Sequence, residues 1–360
     1  MEFMMSAAKA RSLRIAAVGA AAVAALLLAG PAAGCGGSGA TTGAASATVA
    51  ASAGVNAKPE VAKVDLMMDW VPWVLDIPID VAQAKGFYAA AGLQVSQTVP
   101  TGATDVVKFV STGRAQFGLY YAPDILTAVS EGAPLVSVAG IMSHAPVGLA
   151  LAPGVTASSP KALTGKVVAV PLIPSTRASF DSMLQAAGMK AGDVKVADPG
   201  FDLVAPLLAG KYAAVAVTAF GELVQADSQG QKLSYLDFRA WGTPDYAFLN
   251  VVTNSQFAKA DPNTVRAFVK ATLAGLDYAA QHPDEAVALY VARHPELKKD
   301  LLLAQWKAAL PSMAATGTKP AGWQDLHAWS ALDDWLVRVK LLDRRVDVAS
   351  SVDDRYLPAQ

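Results

Sequence analysis

Aromatic and acidic side chains gather at the points where predicted β-strands end. They are Asp69, Trp70 and Trp73 after a first strand, Tyr120, Tyr121 and Asp124 after a third, and Phe220 and Glu222 after a later one. Three polar residues, Ser175, Thr176 and Arg177, follow another strand, and Trp241, Asp245 and Tyr246 lie in the segment in which the chain returns to its first part. Aromatic rings stack on flat ligands, and each stacked pair contributes about 0.5–1.5 kcal/mol beyond the area that it buries. Carboxylates accept hydrogen bonds from amino groups. This set of residues therefore predicts a site for a small heteroaromatic compound such as an aminopyrimidine.

Other interpretations of these residues stay open. An aromatic side chain near a strand end can pack in a core or between lobes instead of contacting a ligand. Ser175 and Thr176 begin a predicted helix, where they can cap it. The free backbone N–H groups at that helix start, helped by Arg177, could also hold a phosphate, sulfonate or carboxylate. Further tryptophans recur at helical spacing in the C-terminal part and are expected to be core residues: Trp306, Trp323, Trp329 and Trp335.

The elements that must position these side chains follow an alternating pattern. Short β-rich segments alternate with helical ones between about residues 64 and 141, and the alternation starts again near residue 166. This order is typical of α/β proteins, in which ligands bind beyond the carboxyl ends of parallel strands. From Asp261-Pro262, a helix start, the pattern is nearly all helical. We therefore predict two α/β lobes with a ligand cleft between them, and a helical tail on the first lobe.

Composition argues against several other classes of protein. The net charge is −1 and no basic stripe is visible, so we expect no nucleic-acid partner. Cys35 is the only cysteine, and the four histidines (His144, His282, His294 and His327) are scattered without metal-ligand spacing. We expect no metal, no cofactor and no enzymatic activity, and we expect a monomer.

Residues 1–34 have the pattern of a bacterial lipoprotein signal peptide. Three cationic residues precede an apolar run from Ile15 to Ala29, which is short for a membrane span but typical of a signal-peptide core. Small residues then lead directly to Cys35, so we expect cleavage before this cysteine and attachment of lipid to it. Residues 35–58 are dominated by Gly, Ala, Ser and Thr and predict a flexible linker to the folded part.

A series of motifs along the chain resembles one protein family. They are D-W-V-P from Asp69, A-Q-A-K-G-F-Y from Ala82 with A-G-L-Q-V from Ala91, S-T-G-R-A-Q-F-G from Ser111, E-G-A-P-L from Glu131, L-T-G-K-V-V from Leu163, and H-P-D-E-A from His282. In this order they resemble the solute-binding proteins of the thiamine-pyrimidine-synthase-like group, near the sulfonate and nitrate binders. The resemblance covers nearly all of residues 61–357.

The resemblance implies a fold and a function. The fold is a two-lobed, type II periplasmic-binding-protein fold of the α/β class that closes on its ligand by a hinge motion. Lobe 1 would comprise residues 59–152 and 253–360, and lobe 2 residues 153–252. The function would be that of an extracytoplasmic, lipid-anchored substrate-binding protein of an ABC importer, with a permease and an ATPase as partners. Because the Asp69-Trp70 motif matches that of pyrimidine-precursor binders, the expected ligand is a thiamine precursor such as hydroxymethyl-aminopyrimidine.

Other functions remain as alternatives. A receptor for an alkylsulfonate, taurine or nitrate would need a site dominated by cations, and Arg177 is the chief cation near the predicted strand ends. The ligand could also be riboflavin-like or another larger aromatic compound. A sensor domain that presents its ligand to a membrane kinase has the same fold and is a further alternative. A eukaryotic branch of the family synthesises the thiamine pyrimidine, but it carries a cysteine-rich motif that this chain lacks.

Overall fold

The structure is a computed structural model that describes residues 57–102, 104–200, 202–313 and 319–359. The predicted signal peptide, Cys35 and all but the last two residues of the predicted linker lie outside this part of the chain. Within the described residues, no helix is both long and apolar enough to cross a membrane.

The first sheet has five strands, of which three neighbours are parallel to one another. Its strands are β1 (Lys63–Met67), β2 (Gln94–Thr98), β3 (Phe117–Tyr121), β4 (Leu135–Met142) and, much later in the chain, β10 (Leu249–Asn254). Their order in space is β2-β1-β3-β10-β4. β1 pairs in parallel with β2 and β3, whereas β10 is antiparallel to both of its neighbours. The apolar run of β4 is buried along its whole length, as expected for a strand that is covered on both faces.

The second sheet repeats this plan with the middle of the chain. Its strands are β5 (Val147–Leu151), β6 (Val167–Ala169), β7 (Lys195–Ala197), β8 (Ala214–Thr218) and β9 (Tyr235–Asp237). They lie in the order β7-β6-β8-β5-β9. β6 is parallel to β7 and β8, and β5 is antiparallel to β8 and β9. Two sheets of the same plan confirm the prediction of a two-lobed α/β fold.

Helices surround both sheets. The first lobe carries α1 (Ile77–Ala84), α2 (Phe87–Ala90), α3 (Asp105–Ser111), α4 (Ala122–Ser130), α8 (Ser255–Ala260), α9 (Pro262–Gln281), α10 (Pro283–Arg293), α11 (Lys299–Met313), α12 (Leu326–Arg338) and α13 (Val348–Ser351). The second lobe carries α5 (Pro174–Ala186), α6 (Val204–Leu208) and α7 (Val224–Ser228), with a π-helical turn at Ala219–Leu223.

One predicted helix is interrupted. The sequence predicts a single helix over residues 78–91, but α1 ends at Ala84 and α2 begins at Phe87. Gly86 lies between them with φ +73°, a left-handed conformation that ends a helix and that glycine adopts without steric cost. The Lys-Gly pair of the K-G-F-Y motif is therefore a turn between two helices.

The larger core belongs to the first lobe and includes most of the helical tail. Trp306, Trp329 and Trp335 are almost fully buried there, as predicted, whereas Trp323 is half-buried. The second sheet has a smaller core on each of its faces. The helical tail therefore packs with the first lobe, as the sequence predicts.

The chain changes sheets earlier than the sequence suggests. We predicted crossings near residues 151–153 and 251–253, but β5 already belongs to the second sheet, and β10 wholly to the first. The crossings therefore lie at residues 143–146 and 242–248. The apolar pattern of Val147–Leu151 does not reveal which sheet the strand joins, because its partners, β8 and β9, come more than sixty residues later.

The two crossing segments are bonded to each other. His144 Nδ1 lies 2.6 Å from Asp245 Oδ2, and the backbone N–H of Ala145 donates to Asp245 Oδ1 at 3.2 Å. Arg239 adds an ion pair to the same carboxylate at 3.5 Å. Asp245, which the sequence analysis considered as a site residue, is exposed and links the two crossing segments through these bonds.

Candidate functional site

A cavity lies between the lobes at the carboxyl ends of their strands. β1 and β3 of the first lobe and β6 and β8 of the second end at its wall. Its volume is about 160 Å³, room for on the order of ten water molecules or ligand atoms. The lining residues are Trp70, Trp73, Tyr121, Val147, Pro171, Ile173, Ser175, Thr176, Ser179, Gly200, Leu203, Ala216, Val217, Thr218, Glu222, Tyr246 and Phe248.

The first-lobe side of the cavity is aromatic. Trp70 and Trp73 lie on the turn after β1, and Trp73 begins the 3-10 helix Val74–Asp76. The Trp73 ring lies 5.8 Å from that of Phe220, and the Tyr121 ring lies 5.0 Å from that of Phe248. These separations fall within the range of favourable aromatic contacts. The rings of Trp73 and Tyr121 therefore each pack against another ring, that of Phe220 from the second lobe or that of Phe248 beside β10.

The second-lobe side supplies a carboxylate and aliphatic hydroxyl groups. Ser175, Thr176 and Ser179 come from the first turns of α5, and Ser179 Oγ donates to Ser175 O at 2.9 Å. Glu222 Oε2 accepts hydrogen bonds from Thr218 N at 2.8 Å and from Thr218 Oγ1 at 2.9 Å. Burial raises the pKa of Glu222 above its usual value, although the bonds from Thr218 act in the opposite direction.

The ionisable groups of the lining are exclusively acidic among the described residues. Among the described residues of the lining, none is Lys, Arg or His, and Glu222 is the only carboxylate. A buried carboxylate repels an anion and attracts a hydrogen-bond donor or a cation. The cavity thus suits a flat molecule that presents an N–H group to Glu222.

Asp69 supports the cavity wall from behind. Its Oδ2 accepts a hydrogen bond from Tyr121 Oη at 2.5 Å, while its carboxylate is buried and outside the lining. Burial raises the pKa of Asp69 to about 6, with the Tyr121 bond acting against this shift. Burial, and next the charge of Asp69, raises the pKa of Tyr121 well above its usual value. Tyr121 is therefore a neutral donor whose ring orientation Asp69 determines.

A second acid lies on the same lobe beside the cavity. Asp124 is in the first turn of α4, and its charge contributes to the raised pKa values of Tyr120, Tyr121 and Tyr246. Burial raises the pKa of Asp124 itself to about 7. Tyr246 lines the cavity, but Asp124 and Tyr120 do not.

The structure brings together most, but not all, of the predicted site residues. Those that line the cavity are Trp70, Trp73, Tyr121, Ser175, Thr176, Glu222 and Tyr246, and those that lie behind or beside the lining are Asp69, Tyr120, Asp124 and Phe220. Arg177 and Trp241 are not brought to the cavity.

These two exceptions have simple physical reasons. Arg177 follows Thr176 on α5, where one residue is a rotation of about 100°. It faces outward, with its side chain 42% exposed, and its Nε lies 2.9 Å from Asp181 one turn later. Trp241 ends the 3-10 helix Phe238–Trp241 and packs against the core of the second lobe.

Several lining residues were not predicted. Ser179 lies four residues after Ser175, so helical spacing could have found it. Thr218 is the last residue of β8 and satisfied the strand-end rule. Phe248 directly precedes β10 and Val147 is the first residue of β5, and only knowledge of where the chain changes sheets would have placed them at the cavity.

The described residues contain no group of three or more His, Cys, Asp or Glu side chains that could hold a metal ion. The lining consists of aromatic rings, aliphatic side chains, hydroxyl groups and one carboxylate. Its arrangement suits binding and orientation of an organic molecule.

The fold is that of the periplasmic binding proteins. The aliphatic sulphonate binding protein SsuA from Escherichia coli superposes with a TM-score of 0.64 at 14% identity, covering 81% of this chain and 92% of that one. At this identity the similarity establishes the fold alone. It agrees with the type II binding-protein fold that the sequence motifs imply.

The chain belongs to the NMT1/THI5 like family, whose profile matches residues 76–286. It is 28% identical to the formylaminopyrimidine-binding protein of Halalkalibacterium halodurans over 298 residues, 81% of this chain and 90% of that protein. It is 27% identical to the riboflavin-binding protein RibY of Chloroflexus aurantiacus over 334 residues, 88% and 92% of the two chains.

Enzymes are also among its relatives. The 4-amino-5-hydroxymethyl-2-methylpyrimidine phosphate synthase THI13 of Saccharomyces cerevisiae is 25% identical over 262 residues, 68% of this chain and 75% of the enzyme. The binding proteins match more of the chain at higher identity. Together with the fold, they support a substrate-binding role of the kind found in ABC transport systems.

Proposed function

We propose that this protein is the substrate-binding component of an ABC importer and captures a small aminated heteroaromatic compound, such as hydroxymethyl-aminopyrimidine. One observation carries the proposal. Aromatic rings from one lobe and a single carboxylate from the other line the same cavity, and the described lining contains no Lys, Arg or His. Aromatic rings bind the faces of the ligand ring, and the carboxylate accepts a hydrogen bond from its amino group.

The named ligands of two relatives support this class of compound. The relatives from H. halodurans and C. aurantiacus are named for binding a formylaminopyrimidine and riboflavin, both of them nitrogen heteroaromatics. A cavity of about 160 Å³ has room for a single substituted ring. Within this class we therefore favour an aminopyrimidine.

An anionic ligand fits the cavity poorly. A sulfonate or nitrate taken out of water needs compensating cations or several donors. Arg177, the cation considered for this purpose, faces away from the cavity and is paired with Asp181. Glu222 would repel the ligand when it is ionised. The similarity to the sulphonate binder is therefore a similarity of fold.

The cellular setting forms part of the same proposal. A protein that delivers a ligand to a permease must be outside the cytoplasm and close to the membrane. Lipid attachment at Cys35 and the linker of residues 35–58 would provide both. The protein would bind its ligand without changing it, as a monomer that closes its lobes and docks on the permease.

A thermal-shift panel tests the proposal. A ligand that binds only the folded protein stabilises it by about 2.7 kcal/mol at one hundred times its dissociation constant. We expect a higher melting temperature with hydroxymethyl-aminopyrimidine, and none with taurine, methanesulfonate or nitrate. Growth of a pyrimidine-requiring host that depends on the intact gene would then establish uptake.

Two results would contradict the proposed function in different ways. A shift with the sulfonates alone would contradict the proposed ligand class while leaving the fold and the transport role in place. Conversion of the pyrimidine into a product by the purified protein, followed by mass spectrometry, would instead favour the enzymatic branch of the family.

A further inference from the structure

Glu222 is held on an unusual piece of backbone. It lies on the π-helical turn Ala219–Leu223, between β8 and α7. π-helical turns are rare and occur frequently at functional sites. Thr218 at the start of the turn donates twice to Glu222 Oε2, so one carboxylate oxygen is fixed from within the second lobe.

Gly221 allows this local arrangement. A Cβ atom at Gly221 would lie 2.5 Å from Thr218 Oγ1, closer than real Cβ contacts. A larger residue would therefore displace the hydroxyl group that bonds to Glu222. The position of the carboxylate depends on the backbone of the turn at Gly221.

The same glycine is held from the other lobe. Gln305 Nε2, on α11, donates a hydrogen bond to Gly221 O at 3.1 Å. α11 itself is fixed in the core of the first lobe, where Leu302, Trp306 and Ala309 are buried and Trp306 Nε1 donates to Ala279 O at 2.9 Å. The Gln305 bond therefore joins the first lobe to the backbone beside Glu222.

The far end of α11 contacts a crossing segment. Ser143 N donates to Ser312 O at 2.7 Å, and Ser143 is the first residue after β4. One helix thus touches both the segment where the chain passes between the lobes and the turn that presents the carboxylate. Movement of the lobes about the crossings would change the distance between Gln305 and Gly221.

We propose that Gln305 is a positioning residue that sets the Glu222 carboxylate for the ligand's amino group and links that setting to the arrangement of the lobes. The proposal rests on the proposed function, because it assigns Glu222 to ligand recognition. Gln305 makes no contact with the cavity and acts through the Gly221 backbone. Loss of this single neutral hydrogen bond should weaken binding about two- to tenfold.

The test is a double-mutant cycle measured by titration calorimetry on the full-length protein with hydroxymethyl-aminopyrimidine. Gln305→Met keeps the length of the side chain but removes the donor, and we expect the dissociation constant to rise about two- to tenfold. In the Glu222→Gln background the same change should have less than a twofold effect, because the charged group that it positions is gone. Gln281→Met, an exposed residue at the end of α9, is the matched control and should bind like the wild type.

The outcomes separate the two proposals. An equal loss of affinity in both backgrounds, or no loss in either, would overturn the role of Gln305 while the proposed function stands. Absence of any binding by the wild type would overturn both. If Gln305→Met fails to melt cooperatively, Gln305→Leu replaces it, because leucine is also uncharged and cannot donate to Gly221 O, and the same pattern is expected.

Discussion

The two lobes bring different chemistry to the same cavity. The first lobe and the crossing that returns to it supply the aromatic rings of Trp70, Trp73, Tyr121 and Phe248. The second lobe supplies aliphatic hydroxyl groups and the carboxylate of Glu222. Rings bind any flat molecule with little regard to its substituents, whereas a buried carboxylate discriminates between donors and anions. Under the proposed function, the first lobe would provide most of the affinity and the second most of the selectivity.

This division of labour also fits a protein that closes by a hinge. A ligand stacked on the rings of one lobe can be held before the other lobe arrives. Glu222 would then contact the ligand only when the lobes approach, so that closure depends on the correct substituent.

Removal of the rings should have the largest effect. In the double variant Trp70→Ala with Trp73→Ala, loss of two stacking surfaces should cost about 3 kcal/mol, or roughly a hundredfold in affinity. Titration calorimetry with hydroxymethyl-aminopyrimidine measures it. The variant with phenylalanine at both positions keeps flat rings and should lose much less. Equal losses in the alanine and phenylalanine variants would show that the rings act only as packing.

Neutralising the carboxylate should have the next largest effect. Glu222→Gln keeps the shape of the side chain but replaces a charged acceptor by a neutral one, so affinity should fall about ten- to thirtyfold. An analogue of the ligand that lacks the amino group should bind both proteins alike. Loss of affinity for that analogue too would place Glu222 in the structure of the cavity instead of in recognition.

The same carboxylate predicts a pH dependence of binding. Because burial raises the pKa of Glu222, its protonation begins at a higher pH than for an exposed glutamate. Affinity for the aminopyrimidine should therefore fall as the pH is lowered through that raised pKa, and the Glu222→Gln variant should lack this component. Calorimetric titrations of both proteins at several pH values measure the difference, and parallel profiles would contradict it.

Asp124 should affect stability more than binding. Its folded-state pKa of about 7 exceeds the unfolded value of about 3.9, so the protonated form is favoured in the folded protein. The stability that protonation provides is complete below pH 4 and is lost as the pH rises through 7. Asp124→Asn should therefore melt about 2–4 °C above the wild type at pH 8, after allowance for partial exposure, and the gain should shrink at pH 5.

The control for this prediction is ligand affinity at one pH. Because Asp124 lies beside the cavity lining and not in it, its replacement should change the dissociation constant less than twofold. A melting difference that is the same at pH 5 and pH 8 would show that ionisation of Asp124 is not its cause.

Arg177 should have the smallest effect. It lies outside the lining and forms an exposed ion pair with Asp181, an arrangement that contributes about 0–1 kcal/mol to stability. Arg177→Ala should therefore change affinity for the aminopyrimidine less than twofold by calorimetry. A tenfold loss would mean that the side chain turns toward the ligand when the lobes close, and would bring the anionic ligands back into consideration.

Much of the fold could be predicted because its signals are local. The Asp261-Pro262 step was predicted to start a helix, and α9 begins at Pro262. The turn at Gly86 was missed although its signal is local, a glycine that can end a helix at positive φ. The sheet to which β5 belongs could not be predicted, because its partners β8 and β9 come more than sixty residues later.

The candidate site was located by one general rule, with predictable errors. Strand ends meet at one edge of a sheet, so residues after β1, β3 and β8 were expected together. The rule does not give the direction of a side chain within a turn or helix. It therefore could not distinguish Thr176, which lines the cavity, from Arg177, which faces outward, or Tyr121 from the Asp69 behind it.

The most direct test of the central claim is a pair of calorimetric titrations on the wild-type protein. One uses hydroxymethyl-aminopyrimidine and the other the same pyrimidine without its amino group. We expect measurable binding of both, with the first at least ten times tighter, because the rings of the first lobe bind each ligand and Glu222 recognises only one. Equal affinities, or binding of neither while a sulfonate binds, would contradict the division of roles between the lobes.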